Sequence, residues 1–146
     1  MEQQIEALLR GSQFKQILEN YIKSLRATYG LKRTEIEILY YLSHCGERNT
    51  AKDIRLSLYM NKGHISQTTD SLRQKGYISS SRDENDYRIV HYTITDEAKS
   101  LTTEIDEAIV KLYDALFDGV SPEDMETLKR VAGKLAGNIS DILENQ

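Results

Sequence analysis

The chain has 146 residues, of which 39% are hydrophobic and 29% charged, and a net charge of −4, which fits one folded domain with a rather lean core. No apolar run approaches the roughly 20 residues that a membrane span requires, and the N-terminus lacks the basic start of a secretory signal, so we expect a cytoplasmic protein. The one cysteine, Cys45, excludes an internal disulfide. Without a CxxC pair or a His/Cys cluster, neither a metal nor another cofactor is expected.

The negative charge is distributed unevenly along the chain. Residues 1–46 hold six Lys/Arg against five Asp/Glu, residues 47–92 hold eight against six, and residues 93–146 hold five against twelve. Most of the excess acid therefore lies in the last third of the chain. A local positive surface can exist in the middle of such an acidic protein.

The first third of the chain has the periodicity of amphipathic helices. Gly11-Ser12 is expected to separate a short first helical turn from a longer helix that ends near Gly30. Thr34 followed by Glu37 has the spacing of a capping box and predicts the start of the next helix. The apolar positions of these segments are Ile5, Leu8, Leu9, Ile17, Tyr21, Ile22, Leu25, Ile36, Leu39, Tyr40 and Leu42.

Two further helix starts follow in close succession. Thr50 with Asp53 three residues later predicts a short helix, and Asn61 can cap a second helix that runs to Gly76. A tight turn near Tyr59 separates the two. This pair is a helix-turn-helix candidate, in which the second helix would enter a DNA major groove.

After Gly76 the periodicity changes from helical to alternating. Val90, Tyr92 and Ile94 share one face of a strand, and a charged hairpin at residues 82–88 joins that strand to a preceding one. An arginine at the tip of such a hairpin can reach the neighbouring, narrower groove of a duplex. The order of helix, helix and hairpin therefore predicts a winged helix-turn-helix.

The last third of the chain predicts two long amphipathic helices. Thr95 can cap the first, and Ser121 with Pro122 is the clearest helix start in the chain. These helices and the first one carry long apolar stripes outside the helix-turn-helix and the hairpin. A second copy of the chain is the simplest partner that could bury them, while packing within one subunit is the alternative. The stripe positions of the two helices are Leu101, Ile105, Ile109, Leu112, Leu116, Leu128, Val131, Leu135, Ile139 and Ile142.

Several segments between residues 50 and 95 resemble the MarR family of winged-helix transcriptional regulators. The most specific part is Asp86-Tyr87-Arg88 in the hairpin, which follows a Leu-x-x-x-Gly-Tyr-Ile helix end. The other matching segments are Thr50-Ala51-Lys52-Asp53-Ile54, Ile65-Ser66, Leu72-Arg73-Gln74-Lys75-Gly76-Tyr77-Ile78, and Tyr92-Thr93-Ile94-Thr95.

The resemblance implies a mainly α fold with a small β-hairpin wing, of the α+β type. It implies one MarR-like domain over residues 1–146, with the winged helix-turn-helix DNA-binding region at 34–95 and dimerisation helices at 1–30 and 97–146. The implied function is that of a sequence-specific transcriptional regulator, a homodimeric repressor that binds a pseudo-palindromic double-stranded operator with half-sites about one helical turn apart.

Three sets of residues are predicted to contact DNA. The spacing of Ile65, Thr69 and Leu72 turns these side chains to the core and leaves the opposite face of the recognition helix for base edges, where Gln67 is the best candidate for reading adenine. The recognition-helix set is Asn61, Lys62, Gly63, His64, Ser66, Gln67 and Thr68. The wing set is Arg82, Asp86 and Arg88, and the phosphate set is Lys52, Arg73 and Lys75.

The resemblance also assigns roles within the wing. It implies that Arg88 enters the minor groove while Asp86 holds the hairpin in shape. The structural alternatives are a surface ion pair for Arg88, helix C-terminal charges for Arg73 and Lys75, and a solvated polar face for the recognition helix.

A small aromatic or phenolic effector is a further expectation. Tyr21, Tyr29, Tyr40 and Tyr41 lie on the first two helices, where relatives form a cleft, and a ligand stacked there could change the separation of the reading helices. Core packing is the alternative for these rings. For Cys45, a small buried hydrophobe is favoured over a redox-sensing thiol.

Two other functions stay open. Glu84 and Tyr87 make the wing less cationic than in many relatives, which leaves a winged-helix module that binds another protein, or an effector sensor with weak DNA binding. An enzyme is not expected, because the three histidines fall on different elements and no nucleophile elbow, phosphate-binding glycine loop or paired-carboxylate motif accompanies them.

Overall fold

The computed structural model describes residues 2–146, and Met1 lies outside the described part. The chain forms two compact units, of which the first ends at Leu112 and the second comprises Tyr113–Gln146. The elements are α1 (Gln3–Arg10), α2 (Ser12–Tyr29), α3 (Arg33–His44), α4 (Ala51–Leu58), α5 (Lys62–Gln74), β1 (Ile78–Arg82), β2 (Val90–Ile94), a 3₁₀ turn (Asp96–Ala98), α6 (Lys99–Leu116) and α7 (Pro122–Glu144).

This mainly helical fold with one small hairpin confirms the predicted fold class. The two strands pair antiparallel in a register that runs from Ile78 opposite Ile94 to Arg82 opposite Val90. Within residues 2–146, no helix combines the length and the apolar character that crossing a bilayer requires.

The predicted break near Gly11 is confirmed, because α1 and α2 are separate helices. Gly11 and Gly30 follow α1 and α2 with φ angles of 67° and 64°. This left-handed conformation suits glycine and ends a helix by turning the chain away from its axis.

The predicted start of α3 is wrong by two residues. The N-cap is Lys32, whose backbone N–H donates to Oε1 of Glu35 at 3.0 Å. Glu37, which was expected to complete a box with Thr34, instead lies 3.7 Å from the guanidinium of Arg33. Glu35 also forms an ion pair with Lys75, 40 residues later in the sequence, so the carboxylate that caps α3 is held by a tertiary contact as well.

The starts of α4 and α5 are confirmed. Thr50 and Asp53 form a reciprocal capping box, with N–H to side-chain oxygen distances of 3.2 and 3.1 Å. Asn61 Oδ1 accepts from the His64 N–H at 2.8 Å. Between the helices, Tyr59 adopts φ 54°, so the turn is closed by a left-handed residue that is not glycine.

The core of the first unit brings α2, α3, α4, α5, β1 and α6 together. The predicted inward positions Ile65, Thr69 and Leu72 are all buried. The other fully buried side chains of this core include Ile22, Ile36, Ile38, Leu39, Ile54, Ile78, Leu101 and Ile105. The core thus fixes the outward face of α5.

Thr95 does not cap a long α-helix as expected. It precedes the 3₁₀ turn, and its hydroxyl donates to the Gly76 carbonyl at 2.7 Å. Its N–H donates to the Tyr77 carbonyl at 3.1 Å. Thr95 therefore ties the end of the hairpin to the end of α5.

In the second unit, Ser121 caps α7 as predicted, with its Oγ accepting from the Asp124 N–H at 3.1 Å. No side chain of Tyr113–Gln146 is buried. The apolar positions of α7, of which Leu135 is 45% exposed, form an open stripe. The stripe comprises Leu128, Val131, Leu135, Ile139 and Ile142.

Candidate nucleic-acid interface

The outer face of α5 is polar and accessible. Asn61, Lys62, Gly63, His64, Ser66 and Gln67 are all exposed. Because the capping of Asn61 fixes the first turn and the buried Ile65 and Leu72 fix the opposite side, these groups stand together at the N-terminal half of the helix.

Thr68 was predicted to belong to this face, and the structure corrects that assignment. Its side chain is only 6% exposed, and its hydroxyl donates to the His64 carbonyl at 2.8 Å. The reason is helical spacing: Thr68 lies three residues after Ile65 and four before Leu72, so it shares the buried side of α5.

The tip of the wing is organised by a carboxylate. Oδ2 of Asp83 accepts the backbone N–H groups of Asn85 and Asp86 at 2.9 and 3.0 Å. This Asx-type turn gives the tip of the wing a defined backbone conformation. A hydrogen bond from His91, followed by those from the two backbone groups, holds the pKa of Asp83 below its ordinary value.

Arg88 projects from this turn with a side chain that is 90% exposed. Its Nε and Nη2 donate to the two carboxylate oxygens of Asp86, each at 3.0 Å, and its backbone N–H donates to Asp86 as well. The surface ion pair is therefore present in the free protein. A guanidinium has five N–H donors, so Arg88 keeps donors that the protein does not use. Arg82 is exposed and donates to the Tyr87 carbonyl.

Lys75, which was predicted to contact phosphate, is engaged within the protein. Its ammonium donates to the Gly30 carbonyl at 2.9 Å and to both carboxylate oxygens of Glu35 at 3.0 and 2.8 Å. These three acceptors use all of its donors. Glu35 is 1% exposed; burial alone would raise its pKa, but hydrogen bonds from Lys75, the Lys32 N–H and Ser71 hold the pKa below its ordinary value.

Arg73 is exposed but engaged. Its guanidinium donates to Asp70 Oδ1 at 2.9 Å and to Ser80 Oγ at 3.2 Å, which connects the end of α5 to β1. Its charge is therefore partly compensated within the protein. Of the predicted phosphate set, Lys52 alone has no hydrogen bond or ion pair with the described residues.

A cavity of about 190 Å³ lies between α4 and α5. It is lined by Ala51, Lys52, Arg55, Lys62 and Ile65. The side chains of its three cations form no ion pair with residues 2–146, and no acidic residue lines it. Unpaired like charges at one concave site repel each other, and an anion bound between them relieves that repulsion.

Arg55 was missed by the sequence analysis. Its spacing of three residues after Lys52 on a short helix was the available signal, because i and i+3 share a helix face. What the sequence did not show is that Lys62, on the next helix, meets the same cavity.

Comparison with known protein families matches residues 20–105, more than half of the chain, to the family described as transcriptional regulator SarA/Rot. The chain belongs to the SarA/Rot family. This confirms the predicted winged-helix regulator, and the family is one of transcriptional regulators rather than enzymes.

A curated relative and two solved structures are also similar to this chain. An uncharacterised HTH-type transcriptional regulator of Bacillus subtilis (strain 168), YpoP, is 29% identical over 131 residues, which cover 90% of each chain. FabT of Streptococcus pneumoniae, solved in complex with DNA, has a TM-score of 0.71 and 21% identity over 96% of this chain and 98% of that one. The MepR–DNA complex of S. aureus has a TM-score of 0.72 and 19% identity over 91% and 96%. The fold of this SarA/Rot regulator is thus the MarR-type winged helix.

A second feature of the SarA/Rot regulator was missed, a polar contact behind the wing. The His91 ring lies between Asn49 and Asp83, with its Nδ1 at 2.6 Å from Asn49 Oδ1 and its Nε2 at 2.8 Å from Asp83 Oδ1. The alternation of β2 placed His91 on one face of the strand, but gave no partner for it.

The tyrosines proposed as an effector cleft contact separate groups in the regulator. The Tyr29 hydroxyl donates to Glu104, which raises the pKa of Tyr29. The Tyr41 hydroxyl donates to the Arg48 carbonyl at 2.6 Å. The Tyr40 ring lies 4.7 Å from the ring of His44. Tyr21, the fourth, is half-buried on α2.

Cys45 has the environment of a packed hydrophobe. It is half-buried, and its thiol donates to the Leu42 carbonyl at 3.4 Å. Burial raises the pKa of the Cys45 thiol, which is opposite to the shift that activates a sensor. Among residues 2–146, no group of three His, Cys, Asp or Glu side chains is placed to hold a metal ion.

Proposed function

We propose that this SarA/Rot regulator acts in the cytoplasm as a homodimeric, sequence-specific DNA-binding repressor. In this proposal α5 enters the major groove and the wing reaches the adjacent minor groove. The observation that carries it is the cavity of unpaired cations, Lys52, Arg55 and Lys62, beside the exposed polar face of α5. In the proposed complex, these three charges would contact the phosphate backbone beside the major groove that α5 enters.

Base readout is assigned to the outer face of α5. Gln67 is exposed, and its amide can pair bidentately with the major-groove edge of adenine, while Ser66 can contact either purine or pyrimidine edges. Gly63 is consistent with a close approach of DNA, because a Cβ there would meet only Asn61 Oδ1, at 3.6 Å, within the protein. Glycine inside a helix costs about 1 kcal/mol relative to alanine, and the internal packing gives no reason for that cost.

The wing contact is assigned to Arg88. Asp86 holds the guanidinium in a defined plane, and the exposed side chain retains unused donors for groove-edge acceptors. The neighbouring Tyr87 is 73% exposed and uncharged. Electrostatic attraction at the wing therefore depends on Arg88 and Arg82, and the phosphate attraction of the cationic cavity carries more of the affinity.

A second copy of the chain is the proposed cover for the exposed apolar positions of the flanking helices. In the first unit α1 exposes Ile5, Leu8 and Leu9, and in the second unit α7 exposes its whole stripe. Apolar surface of this extent is unfavourable in water. A two-fold dimer would cover it and would also supply two copies of α5 for the two halves of a pseudo-palindromic operator.

Repression of a promoter and control by an effector are the most specific parts of the proposal. A dimer that occupies a promoter-proximal operator excludes polymerase from the same DNA, so a promoter carrying the site should be transcribed less. An aromatic effector near Tyr21, Tyr29, Tyr40 and Tyr41 would modulate operator affinity only if it bound one spacing of the reading helices more tightly. Calorimetric titration with a panel of phenolic acids tests this part separately.

Selection from random-sequence duplex DNA tests the DNA-binding proposal. The wild-type protein should enrich a motif with two inverted half-sites whose centres lie about 10 base pairs, or one helical turn, apart. The matched control is Lys129→Gln, which removes a cation from α7 and should enrich the same motif. No enrichment over the input library would overturn the proposal and favour the protein-binding alternative.

A further inference from the structure

The wing turn and the helix-turn-helix share one connection through Asp83. One carboxylate oxygen, Oδ2, organises the turn by accepting the N–H groups of Asn85 and Asp86. The other, Oδ1, lies 2.8 Å from Nε2 of His91. The group that shapes the wing tip is therefore held from behind by a ring on β2.

His91 in turn contacts the segment that starts α4. Its Nδ1 lies 2.6 Å from Oδ1 of Asn49, the residue immediately before the N-cap Thr50. The backbone reinforces the contact, because the Tyr92 N–H donates to the Asn49 carbonyl at 3.0 Å and Thr50 pairs with His91 in an isolated antiparallel bridge. A continuous path therefore runs from the wing tip through His91 to the capping box of α4.

We propose that His91 is a positioning residue that fixes the wing relative to the helix-turn-helix, so that Arg88 and α5 can engage one duplex together. The inference deepens the proposed function and rests on it where DNA affinity is concerned. The His91 side chain is half-buried, and its two ring nitrogens face Asn49 and Asp83. Its effect passes through Asp83 to the turn that carries Arg88.

Contacts that tie the wing to the helix-turn-helix matter because the hairpin has little stability of its own. An isolated two-stranded hairpin is marginal in water, and this sheet has only β1 and β2. Four of the five β1 residues are exposed. Thr95 ties the base of the hairpin to Gly76, and Arg73 donates to Ser80 at the middle of β1. Near the turn, His91 supplies the link to a rigid helix start.

The first test measures the wing without DNA. Amide exchange of Asn85 and Asp86, followed by NMR, reports the hydrogen bonds that Asp83 accepts. His91→Ala should accelerate exchange at both amides roughly tenfold, while His91→Gln, whose amide can still donate to Asp83, should restore most of the protection. The matched control is His44→Ala, which removes a His–Asp contact of the same kind, 2.9 Å from Asp106. Unchanged exchange in His91→Ala overturns the inference, whether or not the protein binds DNA.

The second test measures coupling to Arg88 on a duplex that the wild-type protein has enriched. His91→Ala should lower affinity roughly tenfold, a typical size for coupled neighbours. In a protein that already carries Arg88→Ala, His91→Ala should lower the affinity much less, because the wing contact is already lost. In the protein that keeps Arg88, His91→Gln should recover most of the affinity. Equal losses in both backgrounds overturn the positioning role. Failure of the wild-type protein to enrich any duplex overturns the proposed function instead, and the amide-exchange result then stands on its own.

Discussion

The cationic cavity between α4 and α5 allows a quantitative prediction of salt dependence. Replacing Lys52, Arg55 and Lys62 by glutamine removes three charges that form no ion pair with residues 2–146. Each phosphate contact contributes about 0.9 to the slope of log affinity against log salt, so each substitution should reduce the slope by about 1.8 in a symmetric dimer and the triple variant by about 5. Between about 50 and 200 mM salt, a slope difference of about 5 changes the relative affinity about 1,000-fold.

The assay is fluorescence anisotropy with an enriched duplex at five salt concentrations. Lys129→Gln is the matched control, because it removes one cation that pairs with Glu126 at 3.2 Å on α7 and should leave the slope unchanged. Circular dichroism should show that the triple variant stays folded, since none of the three side chains forms a hydrogen bond with the described residues. An unchanged slope in the triple variant would mean that these cations neutralise no phosphates and would exclude the cavity from DNA binding.

Three further predictions concern stability, specificity and assembly. Glu35→Ala breaks a buried pair whose partner Lys75 can turn partly to water, so it should cost about 3 kcal/mol in chemical denaturation at pH 7, while the exposed Glu107→Ala should cost little. The pKa of Glu35 is lower in the folded state than its ordinary 4.5, so its stabilising contribution is present above pH 4.5 and is lost as the pH falls through the folded pKa. A Glu35→Gln variant should therefore lose less stability than the wild-type protein on acidification. Equal acid sensitivity of the two proteins would contradict this. Gln67→Ala should relax base preference at one operator position by about 1–3 kcal/mol with an unchanged salt slope, and an unaltered enriched motif would remove Gln67 from base readout. Leu135→Asp on the open stripe of α7 should convert a dimer to a monomer in sedimentation equilibrium, and a variant as dimeric as wild type would place the interface elsewhere.

Local signals in the sequence predicted most of the helix boundaries. Thr50 with Asp53 and Asn61 with His64 form caps through atoms three residues apart, so the spacing alone is sufficient. The predicted start of α3 was wrong because Glu35, rather than Glu37, completes the cap by accepting the Lys32 N–H. Glu35 also pairs with Lys75, 40 residues away, and nothing in the sequence indicated that contact. Thr34 and Glu37 have the same spacing in the sequence, but the cap in the structure is formed by Lys32 and Glu35.

The sequence predicted which face of α5 is exposed, but it did not predict which of the nearby cations are paired within the protein. Helical spacing correctly turned Ile65, Thr69 and Leu72 inward, and the same arithmetic applied to Thr68 would have excluded it. Lys75 could not be judged from sequence, because its charge is compensated by a residue from another helix.

Contacts between elements explain the two features that were missed. Arg55 and Lys62 become one site only when α4 and α5 pack around a shared cavity. His91 gains its role from Asn49, 42 residues earlier, and from Asp83 across the hairpin. Sequence periodicity gives the face of a residue, whereas its partners follow from how the elements pack.

Discrimination between DNA sequences is what separates a specific regulator from a protein that binds any duplex, and a ratio of affinities measures it. Anisotropy at physiological salt should compare the enriched duplex with a scrambled duplex of the same length and composition. A specific regulator should bind the enriched duplex at least about 1,000-fold more tightly, the lower end for specific DNA-binding proteins. A ratio near one would contradict specific binding, because charge alone would then explain every contact with DNA.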